Sequence, residues 1–449
     1  MIEPIDNLLQ SRNETALTRR TLLSLPLALP FLNLATRTAT SEEQYFPPSD
    51  AAGGWRVLET SSEIRSRTGI DKARLDEAFQ YTQTSSQHGG LLVVRHGYLV
   101  YEKYFGRGHR EANPNMYSVG KMFTSVACGI MLSEQGSRFP NGLAQKVFTE
   151  EYLPEAFPLS DPRMAGIQLG NLLTMTSGIQ AATYAPPGKE TVATAGHQTA
   201  IVKGENVELP NWVSPDPVHD QMQDQDGSAL HGKMWTTPGD GYLYSRDPHI
   251  ASIVLRRVVG MELQEYLNQK LGQPMGWGRW GYATHRPGGN LPHTPGEGGI
   301  ALHSTDALRF GYLLARNGRW EKRQLIPQDY LALLSRPSPF NPHSPFSLQF
   351  EVNTDGHVAG APRDAFFKSG AGGFGLYVIP SLDMVIYKMS SLNEETYDPA
   401  STGLPLTYTP DTSRDTWKPH PFNQFVDGPI SGDVGVRRTL EMVVAAVVA

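Results

Sequence analysis

Apolar runs separated by polar turn residues predict antiparallel strands in two parts of the chain. Between Gly90 and Tyr104, two apolar runs flank His96-Gly97, and such a dipeptide is typical of a tight hairpin turn. Near the other end, the runs Phe374 to Ile379 and Met384 to Met389 are separated by Pro380-Ser381-Leu382-Asp383, which is typical of a turn. We therefore expect one sheet built from distant parts of the chain.

Helical patterns lie before, between and after these strands. The run from Asp71 to Tyr81 predicts a helix with an aspartate N-cap, and the run from Val436 to Val444 predicts a final helix that packs back on the sheet. Helical signals dominate residues 122–290, with long Pro-, Gly- and His-rich loops between 180 and 235. Residues 394–435 have little periodicity and predict a long surface excursion.

These elements predict an α+β fold, an α/β sandwich in which terminal helices flank an antiparallel sheet and a mostly helical subdomain is inserted. At 449 residues and 39% hydrophobic composition, the chain can bury a large core. We expect an export signal at 1–39 and a connector at 40–54. The expected sheet domain comprises 55–121 and 291–449, and the helical subdomain comprises 122–290.

The tetrapeptide Ser118-Val119-Gly120-Lys121 is the first candidate for chemistry. Its hydroxyl and amine stand at i and i+3, so they share one face of a helix. Residues 122–132 are almost all apolar, which predicts a buried helix. Burial disfavours the charged form of an amine, which would let Lys121 accept the Ser118 proton and make that oxygen a nucleophile. About one or two S-x-x-K matches are expected by chance in a chain this long, so this motif needs support.

Two further motifs supply that support. The segment from Pro238 to Arg246 reads P-G-D-G-Y-L-Y-S-R and contains Tyr244, and Lys368-Ser369-Gly370 is followed by A-G-G-F-G. S-x-x-K, P-G-x-x-x-x-Y-S-x and K-[ST]-G in this order resemble the serine β-lactamase and penicillin-binding protein superfamily. Tyr244 resembles the class C β-lactamase branch, which includes esterases, D-aminopeptidases and 6-aminohexanoate oligomer hydrolases.

Two supporting segments lie between these motifs, so the resemblance extends from about residue 70 to 395. Asn171 to Ile179 resembles the family's L-L-x-H-x-S-G segment, with Met175 in place of the histidine. We interpret that histidine as a packing feature. Gly298 to Leu308 resembles the glycine turn that leads into a helix returning to the sheet.

The resemblance implies an acyl-transfer site. Ser118 would attack a carbonyl carbon and form an acyl-enzyme, whereas its structural alternative is a helix N-cap. Lys121 would act as the base, or it would keep the Tyr244 oxygen partly anionic so that the tyrosine acts instead. The structural alternatives are a surface lysine for Lys121 and a buried aromatic for Tyr244.

The third motif would bind substrate. Lys368 would orient Tyr244 or a substrate carboxylate, although a lysine that protects an edge strand is the structural alternative. Ser369 would offer a hydrogen bond, and Gly370 would permit close approach to the backbone. The N–H groups of Ser118 and Ala371 would form an oxyanion hole.

Arg246 departs from the family pattern. The motif commonly ends in Y-x-N, and a longer, permanently charged arginine cannot make the neutral contacts of an asparagine. An ester, a carboxylated amide or a linear oligomer is therefore at least as plausible a substrate as a β-lactam. Arg246 would bind a substrate carboxylate or pair with a nearby acid. Arg246 and Met175 both depart from the family pattern, so a second hypothesis remains: the protein is a sensor that is acylated once and does not turn over.

Composition narrows the possible partners. The net charge of −6 and the absence of a basic block argue against nucleic-acid binding. Cys128 is the single cysteine, which excludes an internal disulfide and a cysteine-based metal site, and we expect it to be a small buried hydrophobe. His197, His219 and His231 lack metal-binding spacing, so we expect no metal and no cofactor. The expected partner is a small-molecule ester, amide or lactam.

The N-terminal sequence predicts export. Arg19-Arg20 precedes an apolar stretch that ends near Leu32, as in a twin-arginine signal. The stretch is too short and too interrupted by proline to anchor the chain in a membrane. We expect a periplasmic or secreted protein, and the alternative is a disordered basic leader with a chance apolar run.

Overall fold

The computed structural model describes residues 44–180, 197–212, 230–282, 285–286, 289–290, 293–391 and 434–448. All of them except Gln44 belong to one compact unit, Tyr45–Ala449. The predicted export signal and the predicted excursion up to residue 433 lie outside the described residues. Within the described part, no helix has the length and apolar character needed to cross a membrane.

The helices are numbered here in chain order over the described residues. They are α1 Ser61–Thr68, α2 Lys72–Thr84, α3 Gly120–Glu134, α4 Leu169–Thr174, α5 Asp247–Val259, α6 Leu263–Leu267, α7 Gln273–Met275, α8 Ser304–Ala315, α9 Gln328–Leu334 and α10 Val434–Ala445.

The strands are numbered in the same way. They are β1 His88–Arg95, β2 Tyr98–Phe105, β3 Ile179–Gln180, β4 His197–Val202, β5 Glu205–Pro210, β6 Lys233–Met234, β7 Tyr242–Leu243, β8 Gly281–Tyr282, β9 His285–Arg286, β10 Gly289–Asn290, β11 Ile300–Ala301, β12 Arg319–Trp320, β13 Arg323–Gln324, β14 Glu351–Val352, β15 Phe366–Gly370, β16 Phe374–Ile379 and β17 Met384–Ser391.

Six of these strands form the main sheet, in the order β14-β15-β16-β17-β1-β2. Every neighbouring pair is antiparallel. The N-terminal hairpin therefore joins the C-terminal strands through the pairing of β1 with β17. The predicted α+β class and both predicted hairpins are confirmed.

Alternation of side chains along the central strands gives the sheet two buried faces. On β1, Leu92 and Val94 pack in one core, with α3, α5 and α8, whereas Leu91 and Val93 pack in a second core. The second core includes Leu75 of α2 and Leu440 of α10, so the two terminal helices cover that face. Since successive side chains of a strand point to opposite faces, both faces of a strand so rich in Leu and Val must be covered.

Local signals explain where several elements begin. Asp71 caps α2, because its Oδ1 accepts a hydrogen bond from the Ala73 N–H at 3.0 Å. The predicted helices at 71–81 and 436–444 are confirmed as α2 and α10. Helix α1 is not among the predicted helices, although Thr60 and Glu63 form a capping box that marks its start.

The expectation of loops from 180 to 235 is wrong for part of that range. Strands β4 and β5 form a hairpin around Lys203-Gly204, both of which have positive φ, and β4 also pairs with β7. The available signal was the Lys203-Gly204 turn between two short segments that contain β-branched and apolar residues, HQTAIV and ENVELP, which the surrounding Pro- and Gly-rich sequence obscured. The expected domain boundaries remain predictions.

Candidate active site

Ser118 lies in a short 3-10 turn, Tyr117–Val119, directly before α3. Residue Tyr117 has a φ of +47°, and its N–H donates to Asn115 Oδ1 at 2.8 Å. The N-cap position of α3 is Val119, so Ser118 does not cap this helix. Its side chain is 8% exposed. A strained turn thus presents the Ser118 hydroxyl near the helix start without using it as a cap.

Lys121 is buried one turn further on and contacts Ser118 directly. Its Nζ donates to Ser118 Oγ at 2.9 Å and to the backbone carbonyl of Glu297 at 2.6 Å. The side chain is 3% exposed, which rules out the alternative of a surface helix lysine. The S-x-x-K spacing therefore brings the two groups into hydrogen-bond contact, as expected.

A glycine-rich segment lies behind this turn and permits the approach of the Glu297 carbonyl. A Cβ on Gly120 would lie 2.9 Å from the Cα of Gly298, so neither backbone leaves room for a side chain. Gly299 donates from its N–H to the carbonyl of Tyr117 at 3.1 Å. The predicted glycine turn before α8 therefore packs against the turn that contains Ser118.

Tyr244 and Lys368 complete a compact group. Tyr244 follows β7 and is half-buried, while Lys368 on β15 is fully buried. Lys368 Nζ donates to the Tyr244 hydroxyl at 3.2 Å. The Nζ atoms of Lys121 and Lys368 lie 4.8 Å and 4.9 Å from the centroid of the Tyr244 ring. Two amines therefore flank one phenol, and one of them also contacts Ser118.

Met175 helps to hold the Tyr244 segment. It packs with Ile201, Tyr242 and Phe346 in a small apolar cluster that also contacts Tyr244. Its Sδ accepts a hydrogen bond from the Ser245 N–H at 3.5 Å, within the longer range usual for sulfur. The residue that replaces the family's histidine is thus a packing residue, in agreement with our interpretation, and it also contacts the backbone beside Tyr244.

Asp247 is a buried carboxyl that the motifs did not reveal. It accepts hydrogen bonds from Ser177 Oγ at 2.9 Å and from the Ser177 N–H at 3.3 Å. Burial raises the pKa of Asp247 to about 7, and its hydrogen bonds to Ser177 and Ser245 oppose that shift. The available signal was an aspartate at the start of the apolar helix α5, directly after the Tyr244 motif.

The K-S-G segment lies against the Ser118 turn. A Cβ on Gly370 would collide with the Met116 carbonyl and lie 3.1 Å from the Val119 nitrogen. Ala371 follows at the strand end and is half-buried. Ser369 is 1% exposed, and its hydroxyl has no hydrogen-bond partner within the described part of the chain.

The remaining candidates are placed as follows. Arg246 is half-buried immediately before α5. His197 is exposed on β4, His231 is half-buried, and His219 lies outside the described residues. Over the described ranges, no three His, Cys, Asp or Glu side chains are grouped to hold a metal. Cys128 is buried in α3 as expected, and burial raises the pKa of its thiol to about 12.

Known proteins resemble this chain in family and in fold. A family model described as Beta-lactamase matches residues 75–404, which is well over half of the chain. A comparison with curated proteins gives no significant match.

Solved structures share the fold at low sequence identity. A Bacillus anthracis protein described as a 6-aminohexanoate-dimer hydrolase is 19% identical, with a TM-score of 0.52 over 83% of this chain and 85% of its own. EstCE1, a hydrolase with promiscuous acyltransferase activity, is 17% identical, with a TM-score of 0.53 over 74% of this chain and 96% of its own. A Bacteroides dorei protein described as a β-lactamase is 16% identical, with a TM-score of 0.53 over 72% and 91%.

Proposed function

Because this chain belongs to the beta-lactamase family of serine hydrolases, we propose that it cleaves an ester or amide bond through an acyl-enzyme on Ser118. The observation that carries the proposal is the 2.9 Å contact between Lys121 Nζ and Ser118 Oγ inside a buried site. A nucleophile needs a proton acceptor within hydrogen-bond reach, and this contact supplies one.

In the acylation step, Ser118 Oγ attacks the carbonyl carbon while its proton passes to Lys121 or to Tyr244. The neutral amine of Lys121 is one acceptor. The phenolate of Tyr244 is the other, because the ammonium of Lys368 at 3.2 Å stabilises a negative oxygen. The bond to the leaving alkoxide or amine then breaks, and Tyr244 gives a proton to that group. Where Lys121 was the acceptor, it passes its extra proton to Tyr244, so that both groups return to their starting states. The N–H groups of Ser118 and Ala371 stabilise the oxyanion formed in between.

Deacylation reverses these roles with water as the nucleophile. The water gives its proton to the same acceptor and attacks the acyl carbon, and Ser118 Oγ leaves and regains a proton. The products are a free carboxylic acid and the restored Ser118 hydroxyl. The serine, the two lysines and the tyrosine thus account for every proton of the cycle, because the proton taken from the nucleophile in each half is returned to the leaving oxygen or nitrogen of that same half.

We propose esters and linear amides rather than β-lactams as substrates. Arg246 stands where the family commonly has asparagine, so the short neutral amide that would contact a lactam side chain is replaced by a cation. The names of two neighbours, a 6-aminohexanoate-dimer hydrolase and the hydrolase EstCE1, are consistent with this choice.

We also propose that the chain is exported through its Arg19-Arg20 signal, which fusion to a reporter active only outside the cytoplasm would test.

The test uses purified protein with a short-chain nitrophenyl ester, a linear amide of 6-aminohexanoate and a chromogenic cephalosporin. Product and protein mass are followed over time for the wild type and Ser118→Ala. We expect repeated turnover of the ester or the amide, a Ser118-dependent increase in protein mass during turnover, and loss of both in Ser118→Ala. Ser125→Ala, on the helix that directly follows Ser118, is the matched control and should retain activity.

Other outcomes separate the alternatives. Fast turnover of the cephalosporin would make the protein a β-lactamase. A single Ser118-dependent mass increase without product release would make it a sensor. Equal activity in the wild type and Ser118→Ala would refute the nucleophile.

A further inference from the structure

Lys388 and Ser390 lie on β17 and hold the turn that follows the K-S-G segment. Lys388 Nζ donates to the Gly373 carbonyl at 2.6 Å and to Ser390 Oγ at 3.2 Å. Ser390 Oγ donates to the Gly372 carbonyl at 2.6 Å. Two consecutive carbonyls of one turn are therefore held by two side chains of the neighbouring strand.

Both donors are buried, so these hydrogen bonds are shielded from water. Lys388 is 1% exposed and Ser390 is fully buried. A buried ammonium bonded to a carbonyl makes a strong, charge-assisted contact. A lysine is rarely placed in a protein interior, because desolvating its charge is costly, so this one requires an explanation beyond packing.

Lys388 acts from the face of the sheet opposite to the candidate active site. It pairs with Leu91 of β1, which lies in the core under the terminal helices. Lys368 instead pairs with Leu376 of β16, which lies in the other core. Lys388 is therefore placed to support the turn from behind rather than to contact a substrate.

The turn needs such support because of its backbone. Gly372 and Gly373 have φ values of +84° and +89°, a region that L side chains rarely adopt. A Cβ on Gly373 would lie 2.9 Å from Lys388 Nζ and 3.1 Å from Ser390 Oγ, so the glycine admits both donors. Glycine pairs are flexible, and without external bonds such a turn samples several conformations.

The consequence for Ala371 follows from peptide geometry. The Gly373 N–H donates to the Gly370 carbonyl at 3.0 Å. In a trans peptide the carbonyl and the next N–H point in opposite directions, so fixing the Gly370 carbonyl also fixes the Ala371 N–H. Gly370 itself lies against the Ser118 turn. Holding Gly372 and Gly373 therefore fixes the direction of the Ala371 N–H, in a segment whose Gly370 lies against the Ser118 turn.

We infer that Lys388 and Ser390 are positioning residues that orient the Ala371 N–H to stabilise the oxyanion. This inference rests on the proposed function, because the Ala371 N–H matters for catalysis only if Ser118 forms a tetrahedral intermediate. Lys388 and Ser390 then affect the rate of the chemical step through the turn and leave substrate binding nearly unchanged.

The test compares an oxo-ester with the matching thionoester, in which sulfur replaces the carbonyl oxygen. Sulfur is a poor hydrogen-bond acceptor, so the thionoester gains little from an oxyanion hole. We expect Ser390→Ala to lower kcat on the oxo-ester about 10-fold and Lys388→Met to lower it about 10- to 100-fold, with KM within about twofold of the wild type. Both variants should hydrolyse the thionoester nearly as fast as the wild type does.

Ile386→Val is the matched control. Ile386 is buried on the same strand and the same face, and its truncation destabilises the core without removing a bond to the turn. It should leave the oxo-ester to thionoester ratio unchanged. If Lys388→Met does not fold, Ser390→Ala decides. If the folded Ser390→Ala variant has the same oxo-ester to thionoester ratio as the wild type, the inference is wrong.

Hydrogen exchange separates this inference from the proposed function. Loss of the bonds to the turn should speed exchange of the Gly373 amide, which donates to Gly370. If the wild type shows no Ser118-dependent turnover, the proposed function fails, and exchange alone then decides whether the two residues hold the turn. Unchanged exchange in both variants would refute that role.

Discussion

Lys368 Nζ lies 3.2 Å from the Tyr244 hydroxyl oxygen, although the two residues are 124 positions apart in the chain. Lys368 is fully buried, so water does not screen its charge. Since a close positive charge favours the anionic form of an acid, this contact supports Tyr244 as an acceptor and donor of protons in both halves of the proposed cycle.

Replacing either partner should slow the chemical step. We expect Tyr244→Phe to lower kcat about 10²- to 10⁴-fold, the range usual for loss of an acid-base group. Lys368→Met should lower kcat about 10²-fold. Because Lys368 acts through Tyr244, the kcat of the double variant should be at most about twofold lower than that of Tyr244→Phe. Steady-state kinetics on the nitrophenyl ester measures all three.

Tyr242→Phe is the control for this pair, because Tyr242 lies two residues before Tyr244 and is buried in the adjacent apolar cluster. It should keep kcat near the wild-type value. Multiplicative losses in the double variant would show that Lys368 acts independently of Tyr244.

Arg246→Asn should shift substrate preference toward β-lactams. The change restores a neutral amide with both donor and acceptor atoms at the end of the Y-x-N motif. We expect kcat/KM for the cephalosporin to rise about 10-fold and kcat/KM for esters that carry a carboxylate to fall, because a cation is lost. Arg246→Lys keeps the charge and should leave cephalosporin turnover at the wild-type level.

The pKa of about 7 for Asp247 predicts how its contribution to stability depends on pH. Between about pH 4 and pH 7 the folded protein retains a proton that the unfolded chain has released, so the contribution falls as pH rises. The total fall is at most about 4 kcal/mol, obtained at about 1.4 kcal/mol for each unit of the pKa difference.

Asp247→Asn should therefore be close to neutral at about pH 5 and stabilising at about pH 8, because an amide does not ionise. Denaturant unfolding of both proteins at the two pH values measures the difference. Ser177→Ala removes a donor to the carboxylate and should destabilise more at about pH 8 than at about pH 5. A difference between Asp247→Asn and the wild type that does not change with pH would contradict the buried, raised pKa.

Cys128 should resist alkylation while the protein is folded. Its thiol is fully buried and its pKa is raised to about 12, so almost no thiolate forms at about pH 8. Mass spectrometry after treatment with iodoacetamide should show no adduct on the folded protein and one adduct after unfolding. Rapid modification of the folded protein would mean that α3 opens locally.

Much of the local structure could be predicted from the sequence. The helices at α2 and α10 and both hairpins follow from apolar periodicity, an aspartate cap and turn residues, which are signals confined to about a dozen neighbouring positions. The S-x-x-K spacing likewise implies that Ser118 and Lys121 share a helical face, because three residues span nearly one turn. The three motifs in order were sufficient to recognise the family.

The tertiary structure decided which distant residues meet. Nothing local to Lys368 indicates Tyr244 as its partner, and nothing local to Lys388 indicates a role behind the Gly372-Gly373 turn. The same holds for Asp247, whose pKa is raised by burial and whose hydrogen-bond partner Ser177 lies 70 positions away. Such contacts depend on how sheet pairing and core packing bring segments together, and a short-range pattern carries no information about that pairing. Local sequence patterns thus predict many of the elements and the reactive groups of the three motifs, whereas packing sets the distances between those groups and their electrostatics.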